Sequence, residues 1–361
     1  MLKTENEKVL WIDFARFLSI LAVLIDHTKG ILYESEAVQS AFFYSVAAFF
    51  FLAGMTSFYS LRRRKAEESV VGWTVRRLWR IIAPYLVAVA VCQYVRGGFS
   101  WSFYAFILWV LNFSLEGQFY FVLIYLQLVV LSPFLYLVTV YVGKRRAHWF
   151  WRALYLVAVG GISVFCVEDT FIMDTYGGGR YLFGGTYLFL FVLGMAAAQL
   201  EIELKGKKEA LIALCISLAS LGASLTFLLK DGFALDEAFF GWKLRVNPPG
   251  ITLTVYSLTV LASAFALCGL VLFIKNRPLE RLFRAAAWLG KYTLYVFLYH
   301  MIILEGLMLR LPLPADLPRG ILAVVYMTAM VGIPVAGKVI YDRVRRALTA
   351  GFAPKRPLSS P

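Results

Sequence analysis

Residues 119–141 read FYFVLIYLQLVVLSPFLYLVTVY, twenty-three positions without one Asp, Glu, Lys or Arg. A run of that length and kind crosses the roughly 30 Å hydrocarbon core of a bilayer as an α-helix. Inside hydrocarbon each backbone N–H and C=O must find its partner within the segment, so helix is the form available to it. It is one of ten mainly apolar runs along the chain: 10–32, 39–60, 81–96, 119–141, 151–168, 184–200, 210–229, 250–273, 287–306 and 320–340. Hydrophobic residues make up 60% of the chain and charged residues 16%, well outside the usual composition of a soluble domain. The fold class expected is an all-α polytopic membrane protein, a bundle of about ten transmembrane helices. The first run has no small-residue cleavage site and reads as a retained span rather than a signal peptide.

The basic residues supply the orientation. With both termini inside, 27 of the 36 Lys and Arg fall on inside segments and eight on outside loops, while Arg16 lies within a span. This positive-inside bias predicts an N-in, C-in multi-pass protein of the cytoplasmic membrane. The net charge of +14 then belongs to the inner membrane face and its lipids, and nucleic acid is not an expected partner. The segment 101–115, WSFYAFILWVLNFSL, is short and aromatic and is placed on the outer interface. Residues 1–349 are expected to form one membrane-embedded domain and 350–361, with its Pro and Ser, a disordered cytoplasmic tail. Cys92, Cys166, Cys215 and Cys268 stand singly in apolar runs and read as small buried side chains.

The first span carries an unusual set of polar groups. Asp13, Arg16, Asp26 and His27 interrupt WIDFARFLSILAVLIDHT. Eleven positions turn an α-helix through about 1100°, so Arg16 and His27 share one face about 16 Å apart. Asp13 lies one turn before Arg16 and can pair with it. One intramembrane charge costs about 2.5–3.5 kcal/mol even on the lenient insertion scale. Three ionisable groups on one stripe therefore argue that the stripe faces the bundle interior. Two readings stay open from the residues alone: a structural ion pair with a satisfied interior histidine, or a functional cavity.

Other segments narrow the choice. RRLWRIIAPYL at 76–86 places Arg77 and Arg80 on one helix face. SLEGQFYFV at 114–122 carries Glu116, Gln118 and Tyr120, and LGKYTLYVFLYHMIIL at 289–304 carries His300. The opening helix, with an arginine, ten intervening residues and a histidine, resembles that of the acyltransferase-3 family of integral-membrane O-acyltransferases. The RxxR segment, the EGQFY stretch and the late helix ending in His300 resemble three further motifs of that family, in the expected order.

The resemblance implies transfer of an acyl group, typically acetyl, from acyl-coenzyme A to a hydroxyl. The expected acceptor is a cell-surface glycan or a lipid-linked saccharide precursor. It implies Arg16, Arg77 and Arg80 as the groups that hold the co-substrate, since guanidinium forks suit phosphate and carbonyl oxygens. His27 is the expected base, because its ordinary pKa lies near operating pH. Asp26 or Glu116 would orient its imidazole as a carboxylate orients a catalytic histidine. Gln118, Tyr120 and His300 are expected substrate-binding residues. Direct transfer and a covalent intermediate on His27 or a tyrosine both remain open, as does a separate extracytoplasmic partner that completes transfer. With three histidines in separate segments, no metal is expected. The competing class is a transporter or flippase that uses the Asp13, Arg16 and His27 stripe as an ion or substrate path.

Overall fold

The structure, a computed structural model, describes residues 5–65, 67–96, 101–113, 115–165, 183–185, 187–230, 251–310 and 318–351. Among these the secondary structure is α-helix with short 3-10 turns. In chain order the helices are α1 (Glu5–Asp26), α2 (Glu36–Phe42), α3 (Tyr44–Arg62), α4 (Val70–Arg96) and α5 (Phe103–Asn112). A 3-10 turn, Gly117–Phe119, leads into α6 (Tyr120–Gly143), followed by α7 (His148–Phe165) and α8 (Tyr187–Leu200). The chain ends with α9 (Lys207–Lys230), α10 (Ile251–Ile274), α11 (Arg277–Gly290), α12 (Thr293–Gly306) and α13 (Arg319–Gly351). Among the described residues seven helical segments are long and apolar enough to cross a membrane, those ending at Arg62, Arg96, Gly143, Leu229, Ile274, Arg310 and Leu348. The chain is an all-α polytopic membrane protein.

Two helices form the centre. α1 packs against α3, α10, α11 and α12, and α3 packs against α1, α6, α8 and α10. In the apolar segment 36–62, 72% of the most apolar window is buried, against 11% for α9. The centre is made of small and aromatic side chains, among them Ala47, Ala48, Phe50 and Ala53 of α3 and Ala15 and Ala22 of α1. α9 rests on α10 and leaves its apolar outer face, including Ile212 and Ile216, uncovered. That face suits lipid, which is as apolar as the side chains it meets.

Small residues set how closely the central helices approach. A Cβ on Gly54 of α3 would lie 1.9 Å from the Phe191 carbonyl oxygen of α8. A Cβ on Gly194 of α8 would lie 2.0 Å from the Phe51 carbonyl oxygen. The two backbones touch where both side chains are absent, as small residues permit in membrane helix pairs. Gly290, at the end of α11, meets α1 in the same way, with a Cβ placed 1.8 Å from the Asp13 carbonyl oxygen. Phe14 stacks on Phe283 beside it, ring centroids 4.3 Å apart.

Several expected limits shift, each for a physical reason. The span expected at 81–96 begins at Val70, so Arg76, Arg77 and Arg80 ride on the same helix as the span. The span expected at 287–306 is two helices. α11 is amphipathic, with Arg277, Arg281 and Arg284 exposed and Phe283, Ala287 and Gly290 buried. A helix with that charged face cannot enter hydrocarbon, so the crossing element starts at Thr293. The span expected at 39–60 is α2 and α3 joined through Phe43, and α13 runs past 340 to Gly351. Segment 101–115 forms the ten-residue α5, which buries no residue and ends at Phe113 in the left-handed region. Residues 166–182 and 231–250, between the expected spans, and residues 352–361 of the tail lie outside the described residues.

Enlarging either glycine between α3 and α8 is expected to separate the two helices. Gly54→Val and Gly194→Val should each cost about 1–3 kcal/mol, the usual range for overpacking. Gly222→Ala, where a Cβ meets nothing within 4 Å, should be near neutral. Thermal unfolding of the detergent-solubilised variants checks the ordering.

Candidate active site

A cavity of about 1070 Å³ opens between α1, α3, α4, α6 and α12. Its rim is basic. Arg63, Arg64 and Lys65 follow α3, Arg76, Arg77 and Arg80 come from α4, and Lys291 precedes α12. Asp13, Glu67 and Glu68 are the lining carboxylates. The three residues expected to hold the co-substrate, Arg16, Arg77 and Arg80, all line this space. α4 presents Trp73, Arg77 and Arg80 on one stripe because they are spaced four and three apart. The Trp73 indole N–H donates to the Ser60 hydroxyl at 3.0 Å, and the Arg77 guanidinium lies 5.2 Å over its ring. Pro84 cannot donate to the Arg80 carbonyl one turn back, which frees an acceptor on the same stretch of helix. Arg76 pairs with Glu68.

Arg16 sits deeper. Its Nη1 donates to Asp13 Oδ1 at 3.1 Å and its Nη2 to the Thr56 hydroxyl at 3.2 Å. The Asp13 side chain is buried, while that of Arg16 remains 26% exposed toward the cavity. Lys291 adds a second positive field on Asp13. The pair neutralises the carboxylate and leaves the guanidinium with donors to spare.

Beyond Arg16 the cavity ends on three phenyl rings. Phe49, Phe121 and Phe297 line it. Phe121 and Phe297 have centroids 4.6 Å apart, and Phe49 lies 6.1 Å from Phe121 and 6.4 Å from Phe297. Behind this wall stands His300, its ring centroid 5.9 Å from that of Phe297. His27 is next, 5.0 Å from His300. Arg16 and His27 thus belong to one helix but not to one open space: a single aromatic layer divides them.

His27 follows the last turn of α1. Its N–H still bonds to the Val23 carbonyl at 3.1 Å. The chain then reverses at Gly30, which has φ +80 and donates to the Tyr33 carbonyl at 2.8 Å. The loop is tied back through Gln39, which accepts from Lys29 at 2.8 Å and donates to Asp26 Oδ1 at 2.9 Å. Asp26 is thereby engaged, though it and Glu305 both act electrostatically on His27. In the same loop, burial first, then Asp26 and Glu36, push the Tyr33 phenol up to about 12. Tyr33 is therefore a neutral hydroxyl at physiological pH.

Glu116 is placed differently from the expectation that it orients His27. It is buried, and Arg96 holds it from Nε to Oε1 and from Nη2 to Oε2, both at 2.8 Å. The Cys92 thiol donates to its Oε1 at 2.7 Å. Arg96 also pairs with Glu305. Arg96 closes α4, where Glu116 finds a cation before it reaches an imidazole. Gln118 is buried with its Nε2 unpartnered, and Tyr120 starts α6 half-buried. Arg96, Glu305, Thr56 and Lys291 are the site residues that sequence reasoning passed over. Glu305 had a signal: it is a lone acid five positions after His300 in an apolar helix. Thr56 had none, since hydroxyls are common in membrane helices.

A family model described as an acyltransferase domain matches residues 9–339. No curated protein and no solved structure matches the chain.

Removing the cation from the Glu116 cluster is expected to cost stability. Arg96→Ala leaves a buried carboxylate with only a thiol donor, a loss of about 1–3 kcal/mol given the partial exposure of the arginine. Adding Glu116→Gln should recover a large part of that loss. Unfolding temperatures of the two single variants and the double variant measure the coupling.

Proposed function

The chain belongs to this acyltransferase family, and we propose that it is an acyl-CoA-dependent O-acyltransferase. The donor is acetyl-CoA and the acceptor a hydroxyl of a cell-surface glycan or its lipid-linked precursor. The observation that carries this reading is the convergence of Arg16, Arg77 and Arg80 on one basic cavity that leads toward His27. Multiply charged phosphates need fixed cations, and the rim supplies them from two helices. Trp73, braced by Ser60, adds an aromatic face at the same mouth.

In this reading the basic end faces the cytosol, where coenzyme A thioesters are found. The phosphates stay at the rim and the thioester arm extends past Arg16. From Arg16 to His27 is about 16 Å along the helix, a reach suited to an extended arm. The free donors of Arg16 steady the carbonyl groups of the arm. The phenyl wall stands across this path, so its rings must part to let the acetyl group and the arm behind it through. An ion path along the first helix would be broken by the same rings, which favours transfer over transport.

At the far end His27 takes the proton of the acceptor hydroxyl as the oxygen attacks the thioester carbonyl. The carbon–sulfur bond breaks, and the proton passes to the departing thiolate. Arg96, Glu116 and Glu305 form a fixed ion-pair cluster beside this point. Gln118 and Tyr120 lie next to it in the chain and bind the acceptor by hydrogen bonding.

The direct test gives purified protein labelled acetyl-CoA with and without a candidate saccharide acceptor. Thiol release that requires the acceptor supports transfer; release of none under any acceptor removes the donor assignment. His27→Ala should lower turnover by about 10²–10⁴-fold, the usual contribution of a general base, while membrane accumulation stays normal. Retained turnover would count against its role as base. Arg77→Ala combined with Arg80→Ala should raise the KM for acetyl-CoA roughly tenfold or more with a smaller change in kcat. An unchanged KM would return these arginines to topology alone.

A further inference from the structure

Three observations meet where α12 faces the end of α1. His300 is fully buried, at 0% exposure. Its Nδ1 lies 2.8 Å from the Phe297 carbonyl oxygen and 3.3 Å from that of Val296. Its Nε2 is buried and has no hydrogen-bond partner among the described residues. Carbonyl oxygens only accept, so the neutral ring carries its one proton on Nδ1, an assignment made from the hydrogen-bond network. Nε2 is then a buried lone pair still to be met, and an unmet buried acceptor is costly. The nearest ring that can meet it is His27, 5.0 Å away between centroids.

We propose that His300 is a positioning residue for His27: its Nε2 accepts a hydrogen bond from one ring N–H of His27 and so fixes the other His27 nitrogen as the free base. The proposal rests on the reading of His27 as the base. A nitrogen lies roughly 1.1 Å from its ring centre, so rings 5.0 Å apart can bring two nitrogens within about 2.9 Å, hydrogen-bond distance. The rings stand tilted by 51°, and the bond is not made in this arrangement. His300 is held by two backbone carbonyls, so the ring that turns is His27, which is half-buried at a helix end. A rotation of the His27 side chain makes this bond in the resting protein, before any substrate is bound.

The carboxylates that would ordinarily orient such a histidine are engaged: Asp26 accepts from Gln39, Glu116 is held by Arg96 and Cys92, and Glu305 pairs with Arg96. A neutral orienter also avoids placing another charge in an apolar bundle. During transfer the proton of the acceptor hydroxyl moves to the free nitrogen of His27 and then to the thiolate sulfur. His300 gains and loses no proton; it keeps His27 in one tautomer, as the third member of a catalytic triad does.

The test needs no activity. The chain has three histidines, His27, His148 and His300, so ¹⁵N-histidine NMR of the full-length protein in lipid nanodiscs is assignable from His→Gln variants. The expected result is a His300 ring protonated on Nδ1, with an Nε2 resonance that moves when His27→Phe removes its donor. A His300 proton on Nε2, or an Nε2 resonance indifferent to His27→Phe, overturns the proposal.

A kinetic arm follows thiol release. His300→Gln, whose amide reaches the Nε2 position, should keep kcat within about tenfold, while His300→Phe should lower it by about 10²-fold. The KM for acetyl-CoA should hold in both, and both should accumulate normally. Full kcat in His300→Phe would also sink the assignment. If the wild-type chain itself releases no thiol, the donor reading fails while the NMR arm still judges the histidine pair.

Discussion

Everything in this fold is arranged around one buried ion pair. Asp13 and Arg16 lie in a helix that crosses apolar surroundings, and neither charge is tolerable against lipid. Pairing at 3.1 Å, with Thr56 as a second acceptor for the guanidinium, makes them tolerable only where protein surrounds them. That requirement places α1 at the centre, with α3, α10, α11 and α12 around it. The close contact of Gly290 with the Asp13 backbone brings Lys291 to the same point. The cavity exists because a guanidinium this deep needs a polar space on its free side.

The molecule then separates two kinds of chemistry by a layer of rings. On one side the field is strongly positive, suited to fixing phosphate. On the other side are two imidazoles and a cluster in which Arg96 neutralises Glu116 and engages Glu305. Phe49, Phe121 and Phe297 stand between them. An apolar layer limits the passage of water and protons between the two ends. Phe297 joins both sides: its ring walls the cavity, and its carbonyl accepts from His300.

Much of this was legible in the chain. The apolar runs announced a helical membrane protein, and helical spacing alone put Asp13 and Arg16 on one stripe and Arg77 and Arg80 on another. Limits drawn by hydropathy failed where charge rides on helix. The limit set at residue 81 falls inside α4, which begins at Val70 and carries Arg76, Arg77 and Arg80. Residues 287–290 scored as membrane, yet they complete the amphipathic α11 at the surface. Hydropathy reports what a segment is made of, and a helix that is half in and half out of the apolar layer averages to the wrong answer.

The sequence by itself determined the class of protein, the charged face of the first helix and the likeness to a family of acyltransferases. Those follow from local rules: run length, helical period and motif order. Only the tertiary structure decided which groups meet. Glu116 found Arg96 and Cys92, and His27 came to lie against His300. Period fixes the face on which a side chain stands but not which helix docks there. That choice is made by packing between segments far apart in the chain, down to glycines whose missing Cβ lets two backbones touch.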